Sequence, residues 1–240
     1  MLPPRLVIAL AALVSVTSMA RLGWWQLDRA AQKRAIASAI AERAKLPPLT
    51  LLPAAVPASA VLHRRVQLTG RWAQAHTVYL ENRQMGGRPG FYVVTPLQLA
   101  DGSAIAVQRG WLQRDPRDRT KLPAPPSDAG AVEVQGRLAP PPARLYEFEP
   151  GASGVLRQNL DLAAYARETS LALCSDLSLL QADSAAHAGD GLRRDWPVVD
   201  AGLGKHYGYA FQWFGLSALI AGLYVWFQLI RPRRPTDRAA

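Results

Sequence analysis

The chain has very little cysteine, since Cys174 is the only one among its 240 residues. A single cysteine forms no disulfide within the chain and no Cys-x-x-Cys pair, so thiol–disulfide chemistry inside this protein is excluded. We expect Cys174 to be a small apolar side chain in the interior, which is the common state of a free cysteine.

Motifs that carry common catalytic chemistry are also missing. The sequence has no Gly-x-Ser-x-Gly nucleophile turn, no phosphate-binding glycine loop and no dinucleotide-binding glycine pattern. Its carboxylates form no spaced acidic pair. The four histidines are His63, His76, His187 and His206. No two of them stand four residues apart, as a helical zinc site requires. We therefore predict that the protein is not an enzyme.

Acidic residues are scarce, with 18 against 28 lysines and arginines, which leaves a net charge of +10. The arginines are scattered, and no basic–aromatic repeat or recognition helix accompanies them, so we expect no nucleic acid as partner. Anionic lipid headgroups or an acidic protein partner fit this charge better.

Uncharged apolar runs occur at both ends of the chain. The first, residues 6–20, continues in apolar character past Arg21 to Leu27, and the second covers residues 207–230. About 20 apolar residues cross a ~30 Å hydrocarbon core. We predict transmembrane helices at 6–27 and 206–230.

The first apolar run has an alternative interpretation. Ser18-Met19-Ala20 resembles a signal-peptidase site after a short apolar region. Against cleavage, the preceding basic region holds Arg5 alone, and Trp24-Trp25 is typical of an aromatic belt at the end of a span. We favour an uncleaved anchor.

The basic tail sets the predicted topology. Residues 231–240 carry four arginines against one aspartate, which favours the cytoplasmic side for this tail. Two spans then put residues 1–5 in the cytoplasm as well. Residues 28–205 form a domain outside the cytoplasm, because long segments cross largely regardless of charge.

The central segment has the pattern of a small β domain. Several short β-prone runs follow one another, and Asp101-Gly102 between two of them indicates a tight hairpin. Pro96 predicts that its strand lies at an edge or a bulge. Residues 28–45 read as a helix that continues the first span, and Asp161 as the N-cap of a second helix. The predicted fold class is an α+β membrane protein, with two transmembrane helices around an extracytoplasmic, mainly antiparallel, barrel-like β domain.

Two groups of residues are candidate sites. The polar run at 81–84 is either a solvated turn or a docking surface, and Arg109-Gly110-Trp111 is either a barrel end or part of that surface. In the second group, an imidazole precedes a small residue and aromatics at helical spacing: His206, Tyr209, Ala210, Trp213 and Phe214. This stripe suits a tetrapyrrole with axial nitrogen ligation, although an interfacial histidine that only anchors the helix gives the same spacing.

Several blocks of the chain resemble the Surfeit locus protein 1 family, whose members assist the biogenesis of cytochrome c oxidase in bacteria and mitochondria. The blocks stand in the family's order across nearly the whole chain: LGWWQLDRAAQKRAI, YLENRQMGGRPGFYVVTPLQLADGSAIAVQRGWLQRD, LRQNLDL, RRDWP and KHYGYAFQWFGLSALIAGLYVWF. The doubled tryptophan and the loop at 175–189 follow the family's pattern less closely.

The resemblance implies an assembly factor in the cell inner membrane, with its central domain in the periplasm. It implies transient binding of haem a, with His206 as the iron ligand. The implied partners are subunit I of the oxidase, which receives the haem, and haem a synthase. Arg83 and Arg109 are expected to bind haem propionates or partner carboxylates. The alternative is a scaffold without haem that holds oxidase subunits; its docking surface would comprise Glu81, Asn82, Arg83, Arg109 and Trp111.

Overall fold

The computed structural model describes residues 3–52, 56–115, 117–118, 122, 130–147, 154–184, 189–197 and 202–231. The chain divides into two units, one made of Met1–Ser38 with Val198–Ala240 and the other of Ala39–Pro197. The predicted basic tail, apart from Arg231, lies outside the described residues.

Within these ranges the chain forms four α-helices and seven strands. The helices are α1 Pro4–Ala44, α2 Ala58–Val61, α3 Leu162–Thr169 and α4 Leu203–Val225, which passes into a π-helical turn at Trp226–Ile230. The strands are β1 Arg65–Trp72, β2 Val78–Met85, β3 Arg88–Leu99, β4 Ser103–Gln113, β5 Ala131–Ala139, β6 Leu156–Arg157 and β7 Ala172–Gln181. A 3-10 turn, Gln74–His76, joins β1 to β2.

Two of the described helices, α1 and the α4 segment up to Ile230, are long and apolar enough to cross a membrane. Residues later in α1 contact residues earlier in α4. The two helices therefore pack side by side and run antiparallel. Ser217 Oγ donates to the Val16 carbonyl at 3.0 Å, and Arg34 donates to the Tyr207 hydroxyl at 2.7 Å. Gly23 is buried in this interface, where its missing side chain leaves room for the ring of Phe214.

The strands form one sheet in the order β1-β5-β7-β4-β3-β2-β6. The end of β3 also pairs with β1, so β1, β5, β7, β4 and β3 make a closed five-stranded ring. Strands β2 and β6 extend the sheet outside it. The β4–β7 and β2–β6 pairs are parallel, and the other five are antiparallel. Two apolar helices at the ends of the chain and a barrel-like, mainly antiparallel domain confirm the predicted fold class.

The barrel interior is filled by apolar side chains from all five ring strands. Leu68, Leu97, Ile105 and Leu179 are at most 1 % exposed. Fully burying each such side chain contributes roughly 1.5–3 kcal/mol. A second apolar cluster forms where α3 packs against β2, β3 and β4.

Of the two alternatives predicted for the strand that holds Pro96, the edge is wrong, whereas a bulge does occur in its pairing with β4. Strand β3 is central, and its register shift lies between Val93 and Val94 rather than at the proline. On the side away from β4, its partner changes from β2 to β1 around Pro96. The Pro96 carbonyl accepts from the Ala73 N–H at 2.9 Å, so the proline nitrogen faces this gap. Its missing N–H therefore costs no ladder hydrogen bond.

Two local predictions are confirmed. Gly102 has φ +84° in the three-residue turn between β3 and β4, and Asp101 Oδ1 accepts from the Ser103 N–H at 2.9 Å. Asp161 caps α3, because its Oδ1 accepts from the Ala164 N–H at 2.9 Å. The helix predicted for residues 28–45 is the second half of α1.

Candidate functional site

His206 lies in the first turn of α4, on the side that faces α1. Its Nδ1 is 2.8 Å from Oε1 of Gln26. An amide oxygen accepts hydrogen bonds and does not donate them, so the ring donates its Nδ1–H. In its neutral form the ring then carries its lone pair at Nε2, which has no hydrogen-bond partner among the described residues.

The predicted stripe around His206 divides between two sides of α4. Ala210 is 2 % exposed, in the same face as His206, and Phe214 meets the Trp24 ring edge-on with centroids 6.0 Å apart. Trp213 is half-buried, whereas Tyr209 is 52 % exposed. Three of the four residues predicted beside the histidine therefore lie on or next to the face packed on α1.

The donor set at this end of the helix pair suits axial ligation of a haem iron. A neutral imidazole whose other nitrogen is hydrogen-bonded is the usual form of a metal-ligating histidine. Within the described residues, no three His, Cys, Asp or Glu side chains cluster as a site for a bare metal ion would need. The chemistry fits a single axial ligand better than a multidentate metal site.

The polar run at 81–84 lies within β2, so its interpretation as a solvated turn is wrong. The chain turns instead at Gly86-Gly87, where both glycines have positive φ. A register shift between Leu80 and Arg83 makes a β-bulge in β2, and Asn82 adopts a left-handed conformation there, with φ +59°. The bulge leaves Asn82 exposed, and its side-chain Nδ2 donates to Oε1 of Gln158 at 3.3 Å.

The remaining residues of the predicted docking surface are more buried. Glu81 is half-buried and pairs with Arg114 at 3.0 Å. Arg83, Arg109 and Trp111 are 5 %, 0 % and 1 % exposed. Their use in partner or propionate binding stays a prediction, and each of them already contacts other residues of the β domain.

Aromatic rings and backbone carbonyls surround these buried arginines. Arg109 lies 4.3 Å from the ring centroid of Trp72, and Arg83 donates to the Gln158 carbonyl at 2.9 Å. Burial lowers the pKa of Arg83 and raises that of Tyr92, whose ring it contacts at 5.8 Å. The Trp111 indole donates to the Arg83 carbonyl at 3.0 Å, which ties β4 to the bulged strand.

Sequence reasoning missed Gln26, Arg34 and Ser217 as the residues that connect the two long helices. Gln26 and Ser217 are polar residues within apolar runs, and Arg34 lies in the charged segment that follows the first run. A heptad-like spacing of small residues in α1, including Gly23 and Ala30, is the signal that marks its packed face. Gln26 lies on that face, three residues after Gly23.

Two antiparallel helices of spanning length, placed at either end of a chain whose middle forms a closed β-barrel, define a membrane-anchored barrel protein. The SURF1 family model matches residues 13–218, and the chain belongs to the SURF1 family. This is a family of assembly factors, generally for cytochrome oxidase, and not a known enzyme class.

Similar proteins carry the same family name. The chain is 25% identical to a SURF1-like protein of Rickettsia felis over 229 residues, which cover 90% of this chain and 94% of that protein. It is 25% identical to a SURF1-like protein of Rickettsia bellii over 228 residues, covering 90% and 88% of the two chains. A SURF1-like protein of Dictyostelium discoideum is 42% identical over 60 residues, 25% of this chain and 22% of that protein.

Proposed function

We propose that this protein binds haem a transiently through His206 during cytochrome c oxidase assembly and assists its insertion into subunit I. Haem a is cargo here, and its iron takes a nitrogen lone pair as an axial ligand. The observation that carries the proposal is the Gln26 contact, which occupies Nδ1 and leaves Nε2 available.

The surroundings of His206 support an apolar ligand. Trp213 and Phe214 lie about two turns further along α4, and Trp24 of α1 packs against Phe214. Aromatic rings are suitable walls for a macrocycle and favour the membrane interface. A single protein ligand holds the cargo less firmly than two, which suits release to subunit I.

The proposal places the protein in the cell inner membrane, with the β domain in the periplasm and subunit I and haem a synthase as partners. Alkaline phosphatase, which is active only after export, tests this orientation when it is fused after residue 197 or after residue 240. We expect activity from the first fusion alone, because the second follows the basic tail. The reverse result would overturn the assignment.

The test of haem binding is the visible spectrum of protein purified from cells that make haem a. We expect wild-type protein to carry a haem absorbance that His206→Ala removes. His76→Ala is the matched control, since His76 belongs to the β domain and its replacement leaves the helix pair intact. His206→Ala protein with wild-type haem occupancy contradicts direct ligation.

A scaffold without haem is the second candidate function. The exposed Asn82 at the β2 bulge supports it, because bulges often re-aim side chains at functional sites. Asn82→Asp tests docking while it tolerates the left-handed backbone, whereas replacing the buried Arg83 would test folding instead. The scaffold predicts that Asn82→Asp weakens co-purification with subunit I and that His206→Ala leaves the haem content of the oxidase unchanged.

A further inference from the structure

We propose that Gln26 is a positioning residue that sets the tautomer and orientation of His206. The haem-binding part of this inference rests on the proposed function, whereas the tautomer part does not. Gln26 lies on α1 and His206 on α4, 180 positions apart in sequence. One spanning helix therefore orients the candidate ligand that the other one carries.

The physical reason lies in the two nitrogens of the imidazole. A neutral histidine has one N–H, and the nitrogen that keeps it is chosen by the available acceptor. Oε1 of Gln26 accepts from Nδ1 at 2.8 Å, so the proton stays there and the lone pair stays at Nε2. Without this acceptor the proton can move to Nε2, and the ring can turn about its side-chain bonds.

Neighbouring contacts hold Gln26 in register with His206. Below this pair, the Trp24 and Phe214 rings meet at 6.0 Å, and Ser217 is bonded to Val16. Each contact joins α1 to α4, so the helices cannot slide past one another without breaking them. The orientation of His206 as a ligand therefore depends on both helices and not on α4 alone.

The same helix supplies a matched control. Gln32 also lies in α1, but its amide contacts Asp28 at 3.2 Å and Arg29 at 3.1 Å on its own helix, on an exposed face. Gln32→Leu makes the same glutamine-to-leucine change in α1 and leaves the surroundings of His206 unaltered. Gln26→Leu removes the acceptor, and Gln26→Glu keeps an acceptor oxygen at the same reach.

The first test uses haem-free protein in detergent micelles labelled with ¹⁵N-histidine. Comparison with His206→Ala assigns the His206 signals, whose chemical shifts distinguish the two neutral tautomers. We expect the Nδ1–H form in wild type, Gln32→Leu and Gln26→Glu, and a loss of that preference in Gln26→Leu. An unchanged tautomer in Gln26→Leu would overturn the inference, whatever the outcome for haem.

The second test is titration with haem a, followed by its absorbance. Loss of a hydrogen-bond partner to a ligating histidine typically weakens metal affinity by about 10- to 100-fold, and we expect this for Gln26→Leu. Gln26→Glu and Gln32→Leu should bind as wild type does. If His206→Ala binds haem normally while Gln26→Leu still changes the tautomer, the proposed function fails and the positioning role stands. If His206→Ala abolishes binding but Gln26→Leu binds as wild type, positioning is irrelevant to haem.

Discussion

Replacing Gly23 with alanine probes the packing of the two spanning helices. A Cβ at this position would lie 2.8 Å from Cζ of Phe214 and 2.9 Å from its Cε1 and Cε2. These distances are far below van der Waals contact, so the phenyl ring must move. Forcing an extra carbon into a packed interface costs about 1–3 kcal/mol.

Alanine also stabilises a helix relative to glycine by about 0.8–1.0 kcal/mol. The variant therefore needs a control that gains this stability without a clash. Gly215→Ala provides it, because a Cβ at Gly215 meets nothing within 4 Å. Gly215 lies in the partner helix α4, directly after Phe214. The difference between the two variants isolates the clash.

Hydrogen–deuterium exchange of the α4 backbone in micelles is a suitable assay, since it reports local opening. A clash of about 1–3 kcal/mol corresponds to exchange that is roughly 5- to 140-fold faster in Gly23→Ala than in Gly215→Ala. Adding Phe214→Leu should recover most of the protection, because the shorter side chain vacates the space. Equal exchange in the two single variants would refute the packing argument.

Three further predictions concern the β domain. Burial, and to a smaller extent the Arg137 cation, lowers the pKa of His63 in the folded protein. As the pH drops below about 6.5, the unfolded state therefore takes up a proton before the folded state does, and the free energy of unfolding falls. His63→Asn should flatten this pH dependence in thermal melts between about pH 5 and pH 8. Arg157→Ala should lower the free energy of unfolding by about 1–3 kcal/mol in urea titrations, because the buried guanidinium donates to Glu168 at 2.9 and 3.0 Å; Arg157→Lys should not restore it fully. Asp161→Ala should cost about 0.5–2 kcal/mol in the same titration, whereas a serine at this position should retain most of the α3 cap.

Local parts of the fold could be predicted because their signals lie in neighbouring residues. The turn at Asp101-Gly102 and the cap at Asp161 each depend on contacts within three residues. The sequence has only weak strand character, confined to residues near 177–181, whereas strand β7 extends over Ala172–Gln181. It is stabilised by a parallel partner, as the Gln108–Ser178 hydrogen bond across 70 positions illustrates, and sequence spacing does not report such a contact.

The same limit applies to the candidate site. His206 could be singled out because it lies at the start of an apolar helix and in a family motif. Gln26 could not be paired with it, since nothing in a single sequence relates residues on two separate helices. The burial of Arg83 and Arg109 could not be predicted, because arginine side chains are usually exposed. Their burial against Tyr92 and Trp72 depends on the sheet bringing these rings beneath them.

The place of β7 between β5 and β4 has a consequence for biogenesis. Until residue 181 has been synthesised and β7 can pair, both of those strands present unpaired edges, and the ring cannot close. Exposed edges of this kind recruit other chains. A nascent chain halted before β7 should therefore need a holding chaperone, and one that has completed β7 should no longer need it.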